Sequence, residues 1–210
     1  MNRDTHERVI LQFLQELNQE TDAFILKGGT ALRQCYGLDR FSEDIDLDAT
    51  AKNIFPFSKK FCTKNGYTFR VAKDTETVKR LLLHYGEETE NPLKIEVSYR
   101  QKTIPKDTVT RIGGITVYTL DRIASMKTAA YIGRDKIRDL YDIVYICNHH
   151  FAALSQSTKN LMTDAFAQKG IEAFEYLMET EQDPLIDKNK LVDDFLTALD
   201  RLHILYEKKD

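Results

Sequence analysis

The chain has 210 residues, with 30 Lys or Arg against 33 Asp or Glu, 42% apolar and 30% charged residues. That balance belongs to a globular protein and excludes a disordered or collagen-like chain, while a net charge of −3 speaks against non-specific coating of nucleic acid and leaves room for a local basic cleft. No stretch approaches the roughly 18 apolar residues of a membrane helix. The opening MNRDTHERVI lacks the apolar segment of a secretory signal, and three scattered cysteines form neither a disulfide framework nor a CxxC motif, so the cytoplasm is the expected compartment.

In chain order, Ile10, Phe13, Leu14 and Leu17 repeat at i, i+3, i+4, i+7, which predicts an amphipathic helix over His6 to Asn18. Phe24 to Leu26 reads as a short strand that turns at Gly28-Gly29 into a helix from Thr30 to Tyr36, closed by Gly37. Ile45 and Leu47 alternate with Asp44, Asp46 and Asp48, the period of a half-buried strand. A helix is expected from Ile54 to Asn65, then strands over Tyr67–Val71, Arg80–Tyr85, Leu93–Tyr99 and Ile115–Tyr118. In the third of these, Leu93, Ile95, Val97 and Tyr99 face one way, and Lys94, Glu96, Ser98 and Arg100 the other. From Leu120 onward the periodicity is helical, and residues 171–200 hold nine acids and two lysines, read as a solvated helical face. The expected class is α+β followed by an all-helical part.

Two acids at i and i+2 on a strand, Asp44 and Asp46, point to one face and repel unless a cation sits between them. Few carboxylates plus phosphate oxygens suit Mg²⁺. Just upstream, a Gly-Gly turn into a helix offers backbone N–H groups to an anion. Together these suggest phosphoryl or nucleotidyl transfer, a chemistry of positioning and charge neutralisation. Asp48 reads as an exposed strand end. Glu96 adds a third carboxylate if its strand neighbours that of Asp46; the alternative is pairing with Lys94 or Arg100 on an exposed face. Lys127, Arg134 and Arg138, spaced at seven and four, share a face if one helix runs on past Gly133, and could grip a triphosphate. Asp139 and Asp142 are neighbours on a helix surface.

Gly28-Gly29-Thr30-Ala31-Leu32, Arg40-x-Ser42-x-Asp44-Ile45-Asp46-Leu47 and Arg138-Asp139-Leu140-Tyr141-Asp142 together resemble the AbiEii/MenT nucleotidyltransferase toxins of the polymerase-β-like superfamily. The resemblance runs from about Lys27 to Ile146. It implies an N-terminal nucleotidyltransferase domain (1–118), a mixed β-sheet flanked by helices, followed by a C-terminal helical bundle (119–210). It also implies Mg²⁺, or Mn²⁺, on Asp44, Asp46 and Glu96. Gly28, Gly29, Thr30 and Ser42 would line the triphosphate, and Lys127 would contact nucleotide phosphates. Asp139 or Asp142 would be the C-terminal motif acid, with Arg134 and Arg138 as further phosphate or RNA contacts. The implied partners are an NTP, an RNA acceptor such as the tRNA 3′ end, and a cognate antitoxin in a type IV toxin–antitoxin or phage-defence system. A protein or small-molecule acceptor, or a non-catalytic nucleotide-binding regulator, are the alternatives.

Overall fold

Asn2 accepts a hydrogen bond from the Thr5 N–H and starts α1 (Arg3–Glu20), whose Val9, Ile10, Phe13, Leu14 and Leu17 are buried. This computed structural model describes residues 2–86 and 91–204. Phe13 meets Phe57 and Phe61 of α3 (Phe55–Asn65) edge-on, with ring centroids 5.2 and 5.1 Å apart. Gly66 closes α3 in the left-handed region.

The chain forms two compact units. The first, residues 2–37 with Phe41–Thr119, carries the whole sheet. Its strands are β1 (Ile25–Lys27), β2 (Ile45–Asp48), β3 (Thr68–Asp74), β4 (Val78–His84), β5 (Leu93–Ser98), β6 (Val109–Ile112) and β7 (Ile115–Tyr118), in the order β3-β4-β5-β2-β1-β7-β6. The sheet is mixed: β2 runs parallel to β5 and β1 to β7, and the other neighbours are antiparallel. One face carries Leu81, Leu83, Leu93, Ile95, Val97, Ile45 and Leu47, each at most 1% exposed. Helix α2 (Gly28–Tyr36) follows β1 without a loop and ends at Gly37, φ +76°. Strand β6 is not foreshadowed by the sequence pattern: it is an edge strand paired only to β7 through the Gly113-Gly114 turn, with Thr110 and Arg111 exposed, so burial never imposed an alternation on it.

The second unit holds Leu38–Arg40 and residues 120–204. Its helices are α4 (Leu120–Gly133), α5 (Ile137–His150), α6 (Gln156–Thr180) and α7 (Lys188–Arg201). Ser155 and Asp187 cap α6 and α7, and α6 kinks at Gly170. Helix α5 is buried nearly all round, from Ile137 to Cys147, which makes it the unit's core element. The helix does not run on past Gly133, the condition for the shared face: α4 stops there and α5 begins at Ile137, so Lys127 and Arg138 stand on different helices. Among the described residues no helix is long and apolar enough to cross a membrane.

Candidate active site

Strand β2 lies between β1 and β5, so its outer-face side chains have neighbours on both sides. The registers set Lys27 beside Asp46, Asp46 beside Glu96, Glu96 beside Arg80, and Arg80 beside Lys73. One row of charged side chains therefore crosses five strands, with the two acids in the middle. Asp44 directly precedes β2 and pairs with Lys94, two residues from Glu96 on the same face. Arg80 binds Glu96 at 2.5 and 2.7 Å. The Glu96 strand does neighbour that of Asp46, the condition for a third carboxylate, and Glu96 is at the same time paired, with Arg80 rather than with Lys94 or Arg100.

Asp48 departs from its expected place. It is 1% exposed and accepts from Lys27 Nζ at 2.5 Å, Tyr118 Oη at 2.9 Å and Gln101 Nε2 at 3.1 Å. The strand continues through it, and burial demands the three donors it receives. Asp48 thereby fixes Lys27 next to Asp46.

Helix α2 starts against this face. Its N-cap position is Lys27, whose side chain makes no capping bond, and its first turn holds no acid. The first N–H groups are left for an anion. Gly28 has φ +75°, and a Cβ there would stand 3.1 Å from Asp46 Oδ2. Both facts demand glycine. Gly28→Ala is expected to cost about 1–2 kcal/mol from the left-handed backbone alone and to push Asp46 aside, which a thermal melt read beside a nucleotide-binding titration will reveal. Thr30 is 1% exposed; its hydroxyl lies 2.8 Å from Ser42 Oγ and donates to the Asp44 carbonyl. It ties the Ser42–Asp44 loop to α2, so its hydroxyl is committed inside the protein rather than offered to a ligand as expected. His6, 1% exposed, holds the same loop from the other side through Nε2 to the Glu43 carbonyl at 2.7 Å.

The charges on this face suit a divalent cation. Burial and the neighbouring Asp44 and Glu96 carboxylates push the Asp46 carboxyl above its ordinary pKa, against the pull of Lys94 and Lys27. Asp46 itself makes no ion pair or hydrogen bond through its side chain among the described residues. A half-buried carboxylate with two acidic neighbours and no donor fits a metal ligand. Asp44 and Glu96 meanwhile turn to Lys94 and Arg80, and among the described residues no three acids, histidines or cysteines stand together as a ready cage.

The remaining expected residues lie in the helical unit. Asp142, wholly buried, accepts a two-pronged contact from Arg40, Nε at 2.7 Å and Nη2 at 2.8 Å, and a third from Lys127 Nζ at 2.6 Å. Burial works to raise the Asp142 pKa, and Lys127 and Arg40 overrule it, holding the carboxyl below its usual range. Asp139, 1% exposed, takes Arg134 at 2.6 and 3.1 Å and Lys127 at 3.4 Å. Arg138 pairs with Asp183. Lys127 thus bridges both motif acids and shares Asp139 with Arg134, while Arg138 binds Asp183 instead.

A model of the AbiEii nucleotidyl transferase toxins of type IV toxin–antitoxin systems matches residues 12–205. The chain belongs to this family. It is a nucleotidyltransferase of the AbiEii toxin class. Among solved structures, JHP933 from Helicobacter pylori is 27% identical with a TM-score of 0.80, over 97% of this chain and 93% of that one. A second H. pylori structure is 26% identical at TM-score 0.77, over 98% and 96% of the two chains. The MenT4 nucleotidyltransferase toxin of Mycobacterium tuberculosis H37Rv, 16% identical over 97% of this chain and 85% of its own, shares the fold at TM-score 0.59. No curated protein matches the chain.

Within this AbiEii-family fold, the residues that sequence reasoning passed over are Lys27 and Arg80, while Lys94 entered only as a partner for Glu96 and Arg40 only as part of a motif. Lys27, Arg80 and Lys94 face the three acids, and Arg40 holds Asp142. The alternation on β5 does place Lys94 on the face of Glu96. Arg80 becomes visible only through the strand pairing.

Proposed function

We propose that this AbiEii-family enzyme uses Mg²⁺, with Mn²⁺ as an alternative, to move a nucleotide from an NTP onto RNA, the acceptor being the tRNA 3′ end. The observation that supports the reading most is the register of β2 and β5, which sets Asp46 beside Glu96, next to Asp44 and the uncapped start of α2. Asp44, Asp46 and Glu96 would hold the ion, which supplies charge neutralisation at the α-phosphate when bound. The N–H groups of Gly28 and Gly29 take triphosphate oxygens, and the Ser42 hydroxyl joins them by turning its proton away from Thr30 Oγ1. Thr30 keeps their two segments together. The acceptor hydroxyl oxygen bonds to the α-phosphorus, the bond from that phosphorus to the bridging oxygen breaks, and pyrophosphate leaves in line. Glu96 receives the hydroxyl proton.

In the helical unit, Lys127 contacts nucleotide phosphates, its ammonium oriented by Asp139 and Asp142, while Arg134 and Arg138 serve RNA or phosphate at their exposed edges. The division of labour follows a nucleotidyltransferase domain over 1–118 and a helical domain over 119–210. The setting is cytoplasmic, with a cognate antitoxin and a part in phage defence.

The test is transfer from each α-labelled NTP to total RNA with Mg²⁺, beside EDTA and Asp44→Ala controls. Label on tRNA-sized RNA from one preferred NTP, lost in both controls, is the expected result. Label on protein or on a small molecule would overturn the RNA acceptor. Label that persists in Asp44→Ala would overturn the metal assignment.

A further inference from the structure

The outer face of the sheet does not end at the acids. Beyond Glu96 it continues over β4 and β3, and its charge turns positive. Residues 52–80 hold eight Lys or Arg against two acids. Two of the three cations of α3 are answered from α1: Lys60 pairs with Glu20 and Lys64 with Glu16. Lys79 pairs with Asp74. Those on the outer face are different. Arg70 and Lys73 of β3 are exposed, and among the described residues neither makes a hydrogen bond or an ion pair through its side chain.

Their placement depends on a bulge. Residues three apart on a regular strand fall on opposite faces. Here Arg70 pairs with Leu82 and Lys73 with Arg80, because the register shifts between Val71 and Lys73. Leu82 and Arg80 share a face, so Arg70 and Lys73 share it too. Leu82 in turn pairs with Lys94, and Arg80 with Glu96. The irregularity at Ala72 thus turns Lys73 onto the face of Asp46 and Glu96. A bulge that re-aims a side chain on an edge strand is a recurrent device beside active sites.

We propose that the outer face of β3, β4 and β5 is the track on which the acceptor RNA lies, with Arg70 and Lys73 gripping its phosphates and Arg80 and Lys94 continuing the row toward the acids. This rests on the reading of the acceptor as RNA. Three strand spacings separate β3 from β2, about 14 Å, so the track spans more than one phosphate. Repeated diester charges match two unpartnered cations followed by two half-exposed ones, Arg80 at 39% and Lys94 at 37%. A free triphosphate is provided for at the other side of Asp46, at the start of α2.

The experiment measures fluorescence anisotropy of single-stranded RNA against salt, for wild type, for Arg70→Ala/Lys73→Ala, and for Lys60→Ala/Lys64→Ala as an equal loss of charge on α3. The β3 double variant is expected to bind RNA about tenfold more weakly at low salt, with the slope of log affinity against log salt shallower by about 1.4, two single-strand contacts at ~0.7 each. Its affinity for NTP, its melting temperature and the RNA affinity of the α3 variant stay at wild-type values. Equal RNA binding by wild type and the β3 variant would overturn the track, as would a loss shared by the α3 variant or a loss of NTP affinity instead. If wild type labels RNA and the β3 variant binds it unchanged, the track fails and the function stands. If wild type labels protein while RNA binding still depends on Arg70 and Lys73, the acceptor reading fails and the surface stands.

Discussion

Asp142→Asn is expected to lower the unfolding free energy by about 3–5 kcal/mol, the usual cost of removing one partner from a buried ion network. Asp142 is fully buried, and two cations with side-chain exposures of 3% (Arg40) and 13% (Lys127) close on it. Losing the carboxylate removes the counter-charge on which both cations close, Lys127 keeping only its 3.4 Å contact with Asp139, and an amide offers its single oxygen to only part of the three donors. The pH dependence follows from the depressed carboxyl. A group whose folded pKa lies below its unfolded value of ~3.9 stabilises at pH above that value and stops doing so as pH falls through the folded one. Wild type therefore loses this contribution on acidification, and the gap between wild type and variant narrows below about pH 4. Urea titrations of both proteins at neutral and acid pH measure it. Equal midpoints at neutral pH would show that Asp142 does not hold the helical unit together.

This network accounts for a pairing of motifs that sequence alone leaves unexplained. Arg40 opens the segment that runs on to Ser42, Asp44 and Asp46, and Asp142 closes the motif Arg138-Asp139-Leu140-Tyr141-Asp142 about a hundred residues later. The two meet in one bidentate contact. Spacing could suggest only that Asp139 and Asp142 are helix neighbours. That both are buried, and that Lys127 is held between them, depends on α5 being covered on every side. A helix with Ile137, Leu140, Ile143, Val144 and Cys147 interspersed with two acids reads as half-solvated until its neighbours are known.

In the first unit the pattern was far more legible. Strand β5 alternates strictly because one face is wholly buried, and its register with β2 follows from that face. The Gly-Gly turn was visible because its function is local: a positive φ and a close approach both need glycine at Gly28. What resisted reading was anything decided across strands. Asp48 looked like a strand end because its three donors come from positions 27, 101 and 118. Lys73 would be placed on the wrong face by counting, since nothing in Val71-Ala72-Lys73 announces a bulge.

Asp46→Asn is expected to act in the opposite direction on stability while removing function. At neutral pH, Asp46 is a carboxylate pushed upward first by burial and then by Asp44, with Glu96 adding to it. A folded pKa above the unfolded value means that ionisation works against folding: the penalty is absent below ~3.9 and complete once pH exceeds the folded pKa. The neutral amide keeps the shape and removes the repulsion, a gain on the order of 1 kcal/mol, or roughly 2–4 °C in Tm for a chain of this size. The same substitution withdraws a ligand from the ion and the charge that neutralises the α-phosphate, worth several kcal/mol, so transfer should fall about 10³-fold. Melting the metal-free proteins and assaying transfer with the preferred NTP separates the two effects. A variant that melts higher and transfers nothing identifies Asp46 as an acid kept for chemistry at the expense of stability. One that melts lower would make Asp46 a structural acid like Asp142, with Lys27 and Lys94 as its true partners, and the ion would have to be sought elsewhere on this face.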